Sequence, residues 1–271
     1  MKVRRSLALP IVAIVALLQV FPLFWMFTTA FKPDSEVSGG VALWPQHPTF
    51  ENFRYVWSRV PMVRYFANSL AVGFAVTAGQ ILTSILAAYA FSRVRFPGRD
   101  ALFLAAVGTM LVPFQITMIP NFLLIARLDW INTLSGVAAP HMASAFGIFL
   151  LRQHLLGFPA SLEEAAIIEG ASRWQVLWRI IVPVNRSAIG ALAALFFINS
   201  WNEYFWPLLI ATGAQSTTLP LGLARFTTVE GGNLFGPLMA AAVMATVPAM
   251  VLFLVAQNRI MNTFSRSGLT G

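Results

Sequence analysis

The stretch Tyr65-Phe-Ala-Asn-Ser-Leu-Ala-Val-Gly-Phe-Ala-Val-Thr-Ala-Gly-Gln-Ile-Leu-Thr-Ser-Ile-Leu-Ala-Ala-Tyr-Ala-Phe-Ser92 contains no Lys, Arg, Asp or Glu. A helix crossing the roughly 30 Å hydrocarbon core of a bilayer needs about 20 predominantly apolar residues. A strand of a membrane barrel would be about 10 residues long and would alternate. This stretch is longer and does not alternate, so it reads as a membrane helix. Working outward, further charge-free runs cover Leu7 to Phe31, Ala101 to Ala126, Trp130 to Leu151 and Gly231 to Asn258, and Ser187 to Ala224 is broken only by Glu203. They predict an all-α, polytopic membrane protein. Its six transmembrane helices fall at about 7–31, 65–92, 101–119, 134–152, 188–211 and 236–258, in a single membrane domain over 1–271.

Composition agrees. The 271 residues are 58% hydrophobic and 10% charged, against about 25% charged in an average soluble domain. Too few charges are present to cover a soluble globule. Cysteine is absent and only 3 His are present, which argues against disulfides, thiol catalysis and a multi-histidine metal site. The net charge of +8 would suit nucleic acid only if the basic residues clustered on a solvated face. They lie instead between apolar runs, so nucleic acid is not an expected partner and the lipid bilayer is. The first run exceeds the roughly 7–15 apolar residues of a signal peptide, and it is read as a retained helix.

Loop charge sets the expected orientation. One side of a six-span chain holds Lys2, Arg4, Arg5, Arg93, Arg95, Arg99, Arg152, Arg173, Arg179, Arg186, Arg259 and Arg266. The other holds Lys32, Arg54, Arg59, Arg64, Arg127 and Arg225. By the positive-inside rule both termini are expected in the cytoplasm. The segment Lys32 to Arg64 is then external, and Arg152 to Arg186 is the longest cytoplasmic segment, with Glu163, Glu164 and Glu169 in it.

That segment, at about 159–183, predicts a helix, a Gly turn and a second helix. Ser161 and Glu164 form a capping-box pattern, Gly170 suits a left-handed helix stop, and Ser172 with Gln175 repeats the pattern. Trp174, Leu177, Trp178 and Ile181 make an apolar stripe at helical spacing, closed by Pro183. A surface-lying connector and a docking element for a cytoplasmic partner both fit this periodicity.

Glu164-Ala165-Ala166, then Glu169-Gly170-Ala171, and later Ile180 and Pro183, resemble the EAA loop of bacterial ATP-binding-cassette importer permeases. Asn68-Ser69-Leu70, Ala87-Ala88-Tyr89-Ala90-Phe91, Phe96-Pro97-Gly98-Arg99, Ala143 to Gln153 and Ser200-Trp201-Asn202-Glu203-Tyr204-Phe205-Trp206-Pro207-Leu208 extend the resemblance to the permease subunit of carbohydrate-type importers, the maltose and glycerol-3-phosphate class. Two departures stand out: Glu169 replaces the usual Asp, and Ser187 replaces a frequent second Pro. The resemblance implies a bacterial inner (plasma) membrane location. It also implies a second permease subunit, two cytoplasmic ATPase subunits docked on the loop, and an extracytoplasmic solute-binding protein. ATP and Mg would be held by the partner ATPase, because this chain has no phosphate-cradling Gly-rich loop and is read as carrying no cofactor, no metal site and no catalytic residue.

For the solute path, Glu203 is the one carboxylate inside a predicted span, and an intramembrane ionisable group suggests function. Asn199, Asn202, Glu203 and Trp206 fall at i, i+3, i+4 and i+7 and so share one helical face, offering amides, a carboxylate and an indole to a sugar. Packing against the partner permease is the competing reading. Gln80, with Thr77 and Ser84, and Gln115, which with the flanking Pro113 and Pro120 interrupts the third run, are weaker candidates. His141 is read as packing. An ion-coupled secondary solute carrier is the alternative function, although a single intramembrane carboxylate suits it poorly and the loop would go unexplained.

Overall fold

Prolines decide where the apolar runs bend. The computed structural model describes residues 2–40, 42–229 and 234–267. Glu230 and Gly231, at the start of the sixth run, lie outside the described residues. So do the side chains of Lys2, Arg4, Arg5, Arg259 and Arg266, on which the orientation reading draws. In chain order the helices are α1 (Lys2–Ala30), α2 (Asp34–Ser38), α3 (Glu51–Arg59), α4 (Met62–Arg93), α5 (Arg99–Gly108), α6 (Phe114–Arg127), α7 (Leu134–Ala138) and α8 (Ala145–Leu156). They continue with α9 (Ala160–Ile168), α10 (Arg173–Val176), α11 (Val182–Val184), α12 (Arg186–Asn202), α13 (Phe205–Ile210), α14 (Leu219–Val229) and α15 (Phe235–Ser267). No strand occurs among the described residues.

Within α1, Pro10–Ala30 is long and apolar enough to cross a membrane, as is α4. Three further pairs meet that test only when joined across a bend. The interruption expected near Pro113 is a 100° turn between the α5 segment and α6. Pro113 disfavours helical backbone at the residue before it, and Val112 is extended (φ −86°, ψ 112°). Pro120, by contrast, is accommodated inside α6. The fourth run bends by 46° between a 3₁₀ turn ending at His141 and α8. Thr133 and Ser144 cap its two helices by accepting from Gly136 N–H and Gly147 N–H.

The chain divides into two units, Met1–Val63 with Leu219–Pro248 and Arg64–Thr218 with Ala249–Gly271. In the first, the segment after α1 folds back onto the end of that helix. Asn52, buried on α3, donates from Nδ2 to Ala30 O (2.9 Å) and Lys32 O (2.8 Å), satisfying carbonyls that the helix end leaves open. Phe31 packs edge-on against Phe50 at 5.3 Å, and the Glu36 carboxylate accepts from Gln46 and His47 N–H. Most of α1 between Ile11 and Phe21 leaves large apolar side chains exposed. That surface is suited to lipid or another apolar chain rather than to water.

In the second unit the core gathers Ile85, Ala88 and Tyr89 of α4, Leu151 and Leu155 of α8, Val176 of α10 with Leu177 and Ile181 after it, and Ala188, Leu192 and Phe196 of α12. Small residues permit this close packing. A Cβ at Gly73 would fall 2.8 Å from the Phe197 ring, and one at Gly147 would collide with Ser84.

Candidate functional site

The segment at about 159–183 folds as two helical pieces around a Gly turn. The first differs in its start: α9 begins at Ala160 after Pro159, with no side-chain cap. The expected Ser161–Glu164 box is not formed. Proline already fixes the backbone that opens the helix, so Ser161 sits inside it and is exposed. The stop is as expected. Gly170 has φ +89°, Gly170 N–H donates to Ile167 O, and Ala171 N–H donates to Ala166 O. These two bonds make a Schellman motif. The Ser172–Gln175 box is present, with both bonds formed.

The helix it starts changes character before its proline. Leu177–Ile181 is a π turn, α11 carries the chain past Pro183, and the axis then bends 78° into α12. Pro183 has no N–H and its ring presses on the carbonyl of Arg179, a conflict that a widened turn relieves. The expected stripe splits accordingly. Leu177 and Ile181 are buried and Trp178 is half-buried, whereas Trp174 is 62% exposed and meets Trp178 edge-on at 5.7 Å.

The loop candidates divide by face. Glu164, Ala165, Glu169, Gly170 and Pro183 are exposed, whereas Ala166 and Ala171 pack against the core. Ile180 is half-buried. Beside the exposed set stand Leu162, Ile167 and Ile168, the last 86% exposed. Residue type alone did not single them out, since an apolar residue in a loop helix usually faces inward.

Glu163 was also missed as a site residue. It is buried, and its carboxylate pairs with Arg93 Nε at 2.7 Å. Arg93, the last residue of α4, also donates from Nη2 to Leu155 O (2.6 Å) and Phe158 O (2.7 Å). One guanidinium thus joins α4, the end of α8 and α9, with its positive charge at the C-terminus of α8, where the helix dipole favours it. Burial pushes the Glu163 carboxyl up from the ordinary range, Arg93 opposes that, and neighbouring Glu164 adds to it. The available signal was the Glu163-Glu164 pair itself: adjacent helical residues point about 100° apart, so one faces in and the other out.

The other polar concentration surrounds a cavity of about 240 Å³ in the second unit. Val72, Val76 and Gln80 face it from α4, four residues apart, as Phe196, Asn199 and Ser200 do from α12. Val137, His141, Ser144, Glu203, Pro207 and Thr218 contribute to its wall. Gln80 Nε2 donates to His141 O at 2.8 Å. His141 Nε2 is buried without a hydrogen-bond partner, and its ring packs 4.7 Å from Phe114. The histidine therefore both packs, as expected, and lines the cavity.

The shared face expected for Asn199, Asn202, Glu203 and Trp206 does not form, because α12 ends at Asn202. Glu203 is extended (ψ 123°) and α13 starts at Phe205. Pro207 accounts for the break: it cannot donate to Glu203 O, four residues back, and would clash with it in a continuous helix. Glu203 Oε1 instead accepts Trp206 N–H at 3.1 Å. The Trp206 indole is fully buried and donates to Gly136 O at 3.0 Å, so its ring is packed into the protein. Of the path candidates, Gln80, Asn199 and Glu203 meet at the cavity, whereas Asn202 and Gln115 are exposed away from its wall. Thr77 and Ser84, also on α4, do not line it, and each holds a buried hydroxyl.

Comparison with known proteins bears on both places. The family of binding-protein-dependent transport system inner membrane components matches residues 80–265. The arabinooligosaccharides transport system permease AraQ of Halalkalibacterium halodurans is 32% identical over 263 residues, 96% of this chain and 94% of its own. The sn-glycerol-3-phosphate transport system permease UgpE of Yersinia pestis is 33% identical, covering 89% of each chain. The lactose transport system permease LacG of Rhizobium radiobacter is 31% identical over 92% of this chain and 90% of its own. A crystal structure of a bacterial ABC transporter for the acidic polysaccharide alginate has a chain that superposes with a TM-score of 0.85 at 24% identity, covering 95% of this chain and 96% of its own. The matched segment takes in the loop and the cavity wall from Gln80 onward, and the chain belongs to the binding-protein-dependent transport system inner membrane components, the permease subunits of ABC importers, whose ATPase is a separate subunit.

Proposed function

We propose that this chain is the permease of a sugar or sugar-like solute importer, with α9 and the Gly170 turn as its ATPase dock and the cavity as its part of the solute path. Its spans are α1, α4, α5 with α6, α7 with α8, α12 and α15, with both termini cytoplasmic. ATP and Mg are bound by the two partner ATPase subunits. A second permease completes the path, and an external binding protein delivers the solute. Relatives that carry arabinooligosaccharides, lactose and sn-glycerol-3-phosphate support the solute class. The ion-coupled carrier alternative is set aside, because the family works with a binding protein.

One observation carries the docking role. The exposed rim of α9, with Glu164, Leu162, Ile167 and Ile168, combines carboxylate and apolar surface on a helix anchored from behind through Glu163. A short helix that must transmit a push needs such an anchor. Co-purification tests it: Glu164→Lys with Ile168→Asp is expected to strip the ATPase from the membrane complex while the two permeases stay together. Retention of the ATPase would refute the dock.

A further inference from the structure

The cavity's wall holds Gln80, Ser144, Asn199 and Ser200, whose amides and hydroxyls can both donate and accept, and His141 with a buried, unpartnered Nε2. Such groups match sugar hydroxyls, which also do both. The wall holds one carboxylate, Glu203, and neither Lys nor Arg. Trp206 N–H fixes Glu203 at Oε1. A negative charge held in a partly closed cavity acts strongly on a second charge nearby.

We infer that Glu203 makes this cavity a site for uncharged polyhydroxylated solutes and sets it against anionic ones, a uronate or a phosphorylated sugar. The inference rests on the cavity reading above. It goes further by assigning charge selection to a residue of the permease itself, in addition to any selection by the binding protein.

The absence of cysteine in this chain allows a direct test. Ser200→Cys places one near-isosteric thiol in the cavity wall. Its labelling by a small maleimide is followed on this chain in the purified transporter in nanodiscs, without binding protein. The probes are glucose and glucuronate, which differ only in CH₂OH against carboxylate at C6. Glucose is expected to slow labelling, with glucuronate needing about tenfold more for the same protection. Adding Glu203→Gln, which keeps the acceptor for Trp206 N–H, should shrink that gap to about threefold or less. Equal protection by both sugars with Glu203 in place would overturn charge selection while leaving the cavity as a sugar site. A gap that survives Glu203→Gln would overturn the assignment to Glu203, and Glu203→Asp, which retains the charge, should keep the gap. Protection by neither sugar would overturn the cavity reading and this inference with it.

Discussion

Two helix breaks shape the loop and the cavity of this protein, and they are built in opposite ways. Between α9 and α10 the chain stops and restarts on local signals: Gly170 at φ +89°, two Schellman bonds, and the Ser172–Gln175 box. Every group involved lies within a few residues of the break. Between α12 and α13 the break is imposed from four residues downstream by Pro207. It is stabilised by Trp206, which bonds Glu203 through its backbone and Gly136 through its indole. The first presents side chains outward, whereas the second turns a carboxylate into a cavity. A break made by local capping can be displayed at a surface. A break that aims a group inward needs a distant element to hold it.

The largest effect that would break this contrast lies behind the loop. Arg93→Ala removes the ion pair to Glu163 and the two bonds to Leu155 O and Phe158 O at once, leaving Glu163 buried and unpaired. A loss of about 3–5 kcal/mol is expected, seen as a lowered unfolding temperature of the complex and early proteolysis near Pro159. Glu163→Gln keeps the shape and removes the charge, so its loss should be clearly smaller. Equal losses would mean that the carbonyl bonds add nothing to the ion pair. Next comes Pro207→Ala, which restores an N–H able to reach Glu203 O and favours a continuous helix by about 3 kcal/mol. Glu203 and Trp206 would then return to one face, as a continuous helix requires, and uptake should fall while ATPase binding persists. Unchanged uptake would show that the break is incidental to transport.

How much could be read beforehand follows from the same contrast. The apolar runs, the Gly170 stop and the Ser172 cap were legible because each depends on neighbours in sequence. So was the interruption at Pro113, although not its 100° size, which tertiary packing decides. The Ser161 cap failed because Pro159 opens α9 two residues too early for it. The meeting of Gln80 with Asn199 and Glu203 was not legible, since spacing along one helix says nothing of which face another helix presents. Nor was the pairing of Arg93 with Glu163, 70 residues away, for the same reason. The burial of Trp206 was not legible either, because the i, i+3, i+4, i+7 spacing holds only for a helix that runs through Pro207.

Smaller changes sharpen the local side. Gly170→Ala forces a Cβ into the left-handed region, at a cost of about 1–2 kcal/mol. Nothing lies within 4 Å of the added carbon, so the effect is backbone strain without a clash. Gly170→Asn should lose less, because a short polar side chain tolerates that conformation, and ATPase retention should rank Gly, Asn, Ala. If the alanine and asparagine variants are equally impaired, then bulk facing the partner, and not the turn, sets the requirement.

Ser172→Ala is expected to cost least, about 1 kcal/mol. It removes the acceptor for Gln175 N–H but leaves Gln175 Oε1 to accept Ser172 N–H, one of the two bonds of the box. The helix beyond it is secured elsewhere, because Val176, Leu177 and Ile181 are buried in the core. The variant should therefore assemble and transport normally, with faster amide exchange limited to residues 172–175 as the visible change. Exchange spreading to Leu177 and beyond would show that the cap, and not the buried side chains, holds the second helix in place. The dock would then depend on local bonds alone.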